Sequence, residues 1–175
     1  SNSLVSINIR TYNSALTLAE TLDSIKNQTY PNIEVIIADG GSSDQTVAIA
    51  KKYKTIVHFA KKLGEARQKN YQKSRGAYVF SVDSDQILDP NLVSECVSMC
   101  QHGVEAITIS EKSKIRKGTF VERIIAYDKW LIDKTRATDP VFGTASPRFF
   151  RKSLLEAIDW LQVLSIFDDT ILYAH

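Results

Sequence analysis

Apolar residues in this chain fall into short runs, separated by stretches in which they recur every three or four positions. Leu4-Val5-Ser6-Ile7-Asn8-Ile9 predicts a first strand. Thr11-Tyr12-Asn13-Ser14 breaks it, and Asn13 or Ser14 is a candidate cap for a helix reaching Asn27. Leu16, Ala19, Leu22 and Ile25 form its expected apolar stripe. After a turn at Tyr30-Pro31-Asn32, residues 33–38 are nearly all apolar, as in a strand covered on both faces. Ser43 or Asp44 is expected to cap a second helix through Lys52. A third strand is predicted over 55–59, a helix over 64–74, a strand over 77–82 and another strand over 106–109. Asp89-Pro90 opens the helix between the last two, with Asp89 as cap and Pro90 at the first helical position. Strand–helix alternation predicts an α/β fold with a mostly parallel central sheet and helices on both faces. Phe120, Ile124, Tyr127 and Leu131 mark a later amphipathic helix approached by Lys112, Lys114, Arg116 and Lys117. It reads either as core cover or as an acceptor- or membrane-facing helix.

At 175 residues the chain suits one domain, read as 1–175 with a boundary near 110 between two halves. Charged residues nearly balance at a formal +2, which argues against nucleic acid as an obligatory partner. Cys96 and Cys100 are spaced for one helix face and are expected to pack rather than to bind metal. No apolar run approaches the length of a membrane span. The cytoplasm is the default compartment, with peripheral contact at the inner face of the membrane left open. His58, His102 and His175 read as bystanders, and the Lys51-Lys52-Lys54 and Lys61-Lys62 clusters as solvated faces.

Ligands of parallel sheets gather outside the carboxyl ends of the strands. Thr11, Tyr12 and Asn13 follow the first strand, Asp39 the second, and Asp83-Ser84-Asp85 the fourth. An aromatic ring can stack on a base. A lone carboxylate can accept from a base or ribose, or simply stabilise a turn. Two carboxylates one residue apart can hold a hard divalent cation against a diphosphate. No G-x-G-x-x-G follows the first strand, and no G-x-x-x-x-G-K-[ST] occurs, which disfavours dinucleotide dehydrogenases and P-loop NTPases.

Taken in order, these segments resemble the family 2, GT-A-type glycosyltransferases. Val5–Asn13 is similar to the family's opening strand and turn, and Glu34–Thr46 to its nucleoside motif. Gly64–Asn70 is similar to its Gly-x-(Ala)-x-Ala-Arg-Asn segment, although Gln68-Lys69 separates Arg67 from Asn70. Gly76–Asp85 is similar to the strand ending in its D-x-D motif. Phe142–Lys152, with its Phe-Arg-Arg-type run before a helix, resembles the acceptor-side strand, and Asp168-Asp169 the acidic pair of inverting members. The resemblance implies a GT-A, Rossmann-like fold, with 1–110 as donor half and 111–175 as acceptor-side half. It implies a nucleoside-diphosphate-sugar donor, UDP ahead of GDP, and a glycan, lipid-linked or protein acceptor. Thr11, Tyr12, Asn13, Asp39, Arg67 and Asp83 would bind the donor nucleotide. Asp83 and Asp85 would hold Mn²⁺ or Mg²⁺, and Asp169 would be the general base. The chain stops just after that residue, as in a minimal or truncated member.

Two competing readings use the same residues. One is a nucleotide-sugar-binding module without catalysis. The other is a haloacid-dehalogenase-type phosphatase, with Asp83 as nucleophile and Asp85 as acid/base, which leaves residues 1–75 unexplained.

Overall fold

The computed structural model describes residues 2–112, 124 and 147–156. The chain divides into two compact units, Ser1–Ile107 with Arg148–His175, and Thr108–Pro147. The first contains the sheet. Its elements are β1 Val5–Thr11, α1 Leu18–Lys26, β2 Ile33–Asp39, α2 Thr46–Lys52, β3 Ile56–Phe59 and α3 Leu63–Lys73. They continue with β4 Tyr78–Asp83, α4 Leu92–Gln101, β5 Ala106–Ile107, β6 Phe149–Arg151 and α5 Lys152–Glu156.

The six strands lie in the order β3-β2-β1-β4-β6-β5. β1 pairs in parallel with β2 and with β4, and β2 in parallel with β3. β6 is the exception: it runs antiparallel to both β4 and β5, so β5 keeps the common direction. The fifth strand is shorter than the expected 106–109, and it meets β6 rather than β4. Phe149 holds β6 in place, its ring centroid 5.6 Å from that of Tyr78 and 5.7 Å from that of Phe80.

β1 sits centrally and its two faces differ. Val5, Ile7 and Ile9 are fully buried on one side, while Ser6 and Asn8 are buried on the other. Buried polar groups need partners, and both have them. Ser6 Oγ donates to Glu34 Oε1 at 2.7 Å and accepts from the Gly76 amide at 2.9 Å. Arg75 adds its backbone amide and Nε to the same carboxylate at 2.7 and 2.8 Å. Burial pushes the Glu34 pKa up, but these bonds outweigh it and hold the carboxyl below its usual value. Asn8 Nδ2 donates to Ser74 Oγ at 3.0 Å, which places the end of α3 on this face. Asn70, also on α3, donates through Nδ2 to the Ile9 carbonyl at 3.1 Å. Its Oδ1 is therefore the acceptor toward His58 Nε2 at 2.7 Å, so His58 joins this network as a structural donor. Ala38, Ala60 and Ala66 pack as a small-residue cluster where α3 meets the sheet.

Helix starts are where the expectations shift. α1 begins at Leu18, and neither Asn13 nor Ser14 caps it. Its buried stripe is Leu18, Thr21, Leu22 and Ile25, while Leu16 is 93% exposed. The reason is that Asn13 takes a left-handed turn, φ 48°, and spends its side chain on the next loop. α4 likewise begins at Leu92 rather than Pro90. There Asp89 accepts from the Asn91 amide at 3.0 Å, an Asx turn that delays the helix. Cys96 and Cys100 are both buried on α4, and burial pushes the Cys96 thiol up to about 12. Among the described residues, no helix is long and apolar enough to cross a membrane.

Gly76 is required by space. A Cβ there would lie 2.6 Å from the Leu4 carbonyl oxygen and 2.7 Å from the Ser6 nitrogen, both backbone atoms. Gly76→Ala is expected to cost about 1–3 kcal/mol, read as a lower urea midpoint with unchanged slope. A midpoint equal to wild type would contradict the packing described for this corner.

Candidate active site

Parallel register brings the strand ends to one edge. Thr11 pairs with Asp39, Asp39 with Phe59, and Arg10 with Asp83. The residues the sequence singles out after β1, β2 and β4 therefore do meet on that edge.

Asp39 is its centre. It is only 5% exposed, yet its carboxylate accepts four hydrogen bonds. Oδ1 accepts from Thr11 Oγ1 at 2.9 Å and Ser42 Oγ at 2.6 Å. Oδ2 accepts from the amides of Gly41 at 2.9 Å and Ser42 at 2.8 Å. Burial alone would raise the pKa, but the bonds from Ser42, Thr11 and Gly41 outweigh it and hold the carboxyl below its usual value. Asp39 is thus ionised, and a contact with a nucleobase N–H requires a Ser42 or Thr11 hydroxyl to turn away from Oδ1.

A second tier of bonds locks the neighbouring loops. Asn13 donates its amide to Ser42 Oγ at 2.9 Å, and its Oδ1 accepts from the Ser43 amide at 2.9 Å. Asp44 Oδ2 accepts from the Ala15 amide at 3.1 Å, and Ser14 donates its amide to Thr46 Oγ1 at 2.7 Å. Ser84 and Ser14 join through their hydroxyls at 2.9 Å, which ties in the β4 loop. Asn13 therefore serves here to clasp the β2 loop. Tyr12 stands beside this lattice, 67% exposed, with Cδ2 3.3 Å from where a Cβ on Gly40 would be.

Asp83 and Asp85 differ in their surroundings, the first half-buried and ion-paired, the second exposed. Asp83 Oδ2 lies 2.9 Å from Arg148 and Oδ1 3.5 Å from Arg10. Its amide donates to Gln86 Oε1 at 2.8 Å. Asp85 is exposed on the turn that follows. Arg10 and Arg148 were not singled out by the sequence. Both lie inside segments that carry the resemblance but have no role implied there: Arg10 precedes Thr11 near the end of β1, and Arg148 lies far along the chain, immediately before β6. Arg67 is half-buried on α3. Asp168 and Asp169, and the amphipathic stretch from Phe120, fall outside the described residues except for Ile124.

A divalent ion suits this edge. Among the described residues no three His, Cys, Asp or Glu side chains group as a closed cage. Mg²⁺-type ions need no such cage, since they use one or two carboxylates and take the rest of their shell from water and phosphate. Asp85 carries an exposed carboxylate here, and Asp83 a neighbouring one already paired with arginine.

Comparison with known proteins settles the family. The model for glycosyl transferase family 2 matches residues 6–159. The chain belongs to that family. EpsH of Bacillus subtilis (strain 168) is 34% identical over 169 residues, 87% of this chain and 48% of EpsH. The poly(ribitol-phosphate) beta-N-acetylglucosaminyltransferase TarP of Staphylococcus aureus (strain N315) is 29% identical over 164 residues, 87% of this chain and 50% of TarP. The family 2 chain thus spans about half the length of these curated relatives. Among solved structures, S. aureus TarS 1–349 in complex with UDP aligns with a TM-score of 0.73 at 24% identity, covering 97% of this chain and 54% of that one. The mannosyltransferase PcManGT from Pyrobaculum calidifontis, with GDP-Man and Mn²⁺, aligns at 0.60 and 20% identity, covering 89% and 46%. The fold is GT-A, and the family is one of glycosyltransferases. The family match also accounts for residues 6–75, which the phosphatase reading leaves unexplained.

Removing one donor from Asp39 tests the lattice. In Thr11→Val, Asp39 loses a bond to its charged form, and the folded-state pKa should rise toward the usual 3.8. A depressed carboxyl stabilises the fold above its unfolded pKa, and that contribution is lost as pH falls through the folded value. The variant should therefore be about 1–3 kcal/mol less stable at neutral pH. Asp39's contribution to acid loss should be smaller and should be complete at a higher pH than in wild type, because its onset is set by the unfolded carboxyl and only the folded value moves. Urea titrations from pH 7 to pH 2 read both effects, and Thr11→Ser should recover most of the loss.

Proposed function

We propose that this chain is the donor-binding and catalytic segment of a family 2 glycosyltransferase that moves a sugar from a nucleoside-diphosphate-sugar to an acceptor hydroxyl. The observation that carries the reading is the shared edge, with Asp39, Thr11 and Tyr12 on one side and Asp83-Ser84-Asp85 on the other. Residues 1–110 are the donor half and 111–175 the acceptor-side half. Tyr12 stacks on the base, and the base N–H replaces a hydroxyl on Asp39 Oδ1. Thr11, Asn13 and Arg67 complete the nucleotide site. Asp83 accepts from the ribose hydroxyls. UDP is the preferred nucleotide, a choice supported by the TarS complex with UDP. The acceptor is a glycan, a lipid-linked chain or a protein. TarP, named for its poly(ribitol-phosphate) acceptor, lends weight to a polymer rich in hydroxyls.

The transfer inverts the anomeric centre by direct displacement. Asp169 takes the proton of the acceptor hydroxyl as that oxygen forms its bond to the anomeric carbon. The bond from that carbon to the diphosphate oxygen breaks, and its electron pair leaves with the diphosphate. Asp85, with Asp83 beside it, would hold Mn²⁺ or Mg²⁺, which would supply charge neutralisation for that leaving group. Arg148 and Arg10 hold the Asp83 carboxylate at a fixed position as the donor enters. Contact with the inner face of a membrane is compatible with the basic approach at Lys112–Lys117.

Calorimetric titration with UDP, GDP and CDP, in Mn²⁺ and in EDTA, tests the donor site. One nucleotide is expected to bind, and only with metal. Asp85→Ala should abolish that metal-dependent binding while the urea midpoint stays at wild type, because Asp85 is exposed. Unchanged affinity in Asp85→Ala would remove the metal role from this residue. Asp169→Asn should keep nucleotide binding and lose acceptor-dependent release of diphosphate by about 100-fold or more. Turnover equal to wild type would require a different base.

A further inference from the structure

Phe59 ends β3 and is 60% exposed, although a ring of this size is more often covered. Its backbone is pinned at the site. The Ala60 amide donates to the Asp39 carbonyl at 2.9 Å, and Lys69 Nζ donates to the Phe59 carbonyl at 3.2 Å. Its ring leans onto the turn after Asp39, with Cε2 3.1 Å and Cζ 4.0 Å from where a Cβ on Gly41 would stand. Gly41 has φ +93°, so the turn both requires glycine and leaves room for the ring. On the other side, Tyr12 meets Gly40 in the same manner at 3.3 Å.

Two exposed aromatic rings from β1 and β3 therefore flank one strip of bare backbone, Gly40-Gly41. The residue before that strip is the ionised Asp39. Flat apolar faces beside a bare floor and a hydrogen-bond acceptor suit a planar heterocycle with N–H groups on its rim. We propose that Phe59 is a base-contacting residue of the donor site, a second aromatic wall alongside Tyr12, and that Gly41 is glycine so that ring and base can both approach the turn. The inference rests on the donor-site reading above and adds to it a residue that none of the sequence motifs contains. Stacking on a π-face does not discriminate among bases, so Phe59 contributes affinity while selection falls to the hydrogen bonds at Asp39.

The test compares a ligand with a base and one without. The nucleoside diphosphate that the wild-type chain binds among UDP, GDP and CDP, and inorganic pyrophosphate, are titrated in Mn²⁺ into wild type, Phe59→Ala and Phe59→Trp. Phe59→Ala is expected to weaken the nucleotide by about 5- to 150-fold. Pyrophosphate affinity should stay within about twofold, because no base is present to lose its stack. Phe59→Trp should restore nucleotide binding and show a change in tryptophan fluorescence when nucleotide is added. Equal weakening of nucleotide and pyrophosphate would mean that Phe59 merely supports the loop, and would overturn the proposal. So would unchanged nucleotide affinity in Phe59→Ala. A wild-type chain that binds pyrophosphate with Mn²⁺ but none of the three nucleotides would overturn the donor-site reading itself, and the wall with it.

Discussion

A carboxylate that is 5% exposed has lost most of its water, and the chain must return those hydrogen bonds or leave the charge stranded. At Asp39 it returns four, from three residues on two segments. That requirement shapes the whole edge. Thr11 must end β1 in register with Asp39. The chain must curl back over Gly41 so that two successive amides face Oδ2. Ser42 must point its hydroxyl inward, and the same oxygen then receives the Asn13 amide, so the β1 and β2 loops become one piece. Tyr12 and Phe59 stand where they do because the turn between them carries no side chains.

The three acidic residues of this edge differ in what surrounds them, and the differences divide the labour. Asp39 is held by neutral donors, which keep it ionised without cancelling its charge. Asp83 faces two guanidinium groups, which offset its charge and fix its position. Asp85 faces water and is open to an incoming cation. The charge-paired carboxylate suits a neutral hydroxyl partner such as ribose, while the solvated one suits a dication. Arg148 supplies half of the clamp on Asp83 and stands immediately before β6, so the late strand completes an early motif.

Much of this was legible in the sequence because it is local. The apolar runs at 33–38 and 77–82 are strands β2 and β4, and the acidic residues that follow them stand at the shared edge. The family could be named from motifs that follow one another along the chain. What the sequence concealed depends on contacts between distant segments. Leu16 looked like the head of a helical stripe, but the claim of Ser43 on the Asn13 side chain moves the helix start to Leu18. Asn70 looked like part of a binding segment, yet it bridges Ile9 and His58 inside the fold. β6 is only three residues long, and nothing in Phe149-Phe150-Arg151 announces that it will slip between β4 and β5. Phe59 gave no sign at all, since one aromatic ending an apolar run is indistinguishable from core until Gly41 is placed beneath it.

The central claim is that this edge holds a nucleoside diphosphate with its base over Gly40-Gly41 and its metal at Asp85. A crystal structure of the chain grown with UDP and Mn²⁺, with data collected at the manganese absorption edge, addresses both ends of the ligand at once. The account predicts an anomalous peak within coordination distance of an Asp85 carboxylate oxygen, and a base lying between the Tyr12 and Phe59 rings with a ring N–H directed at Asp39. Well-ordered UDP bound away from the carboxyl edge, or a base turned out from the Gly40-Gly41 turn with manganese elsewhere, would contradict it.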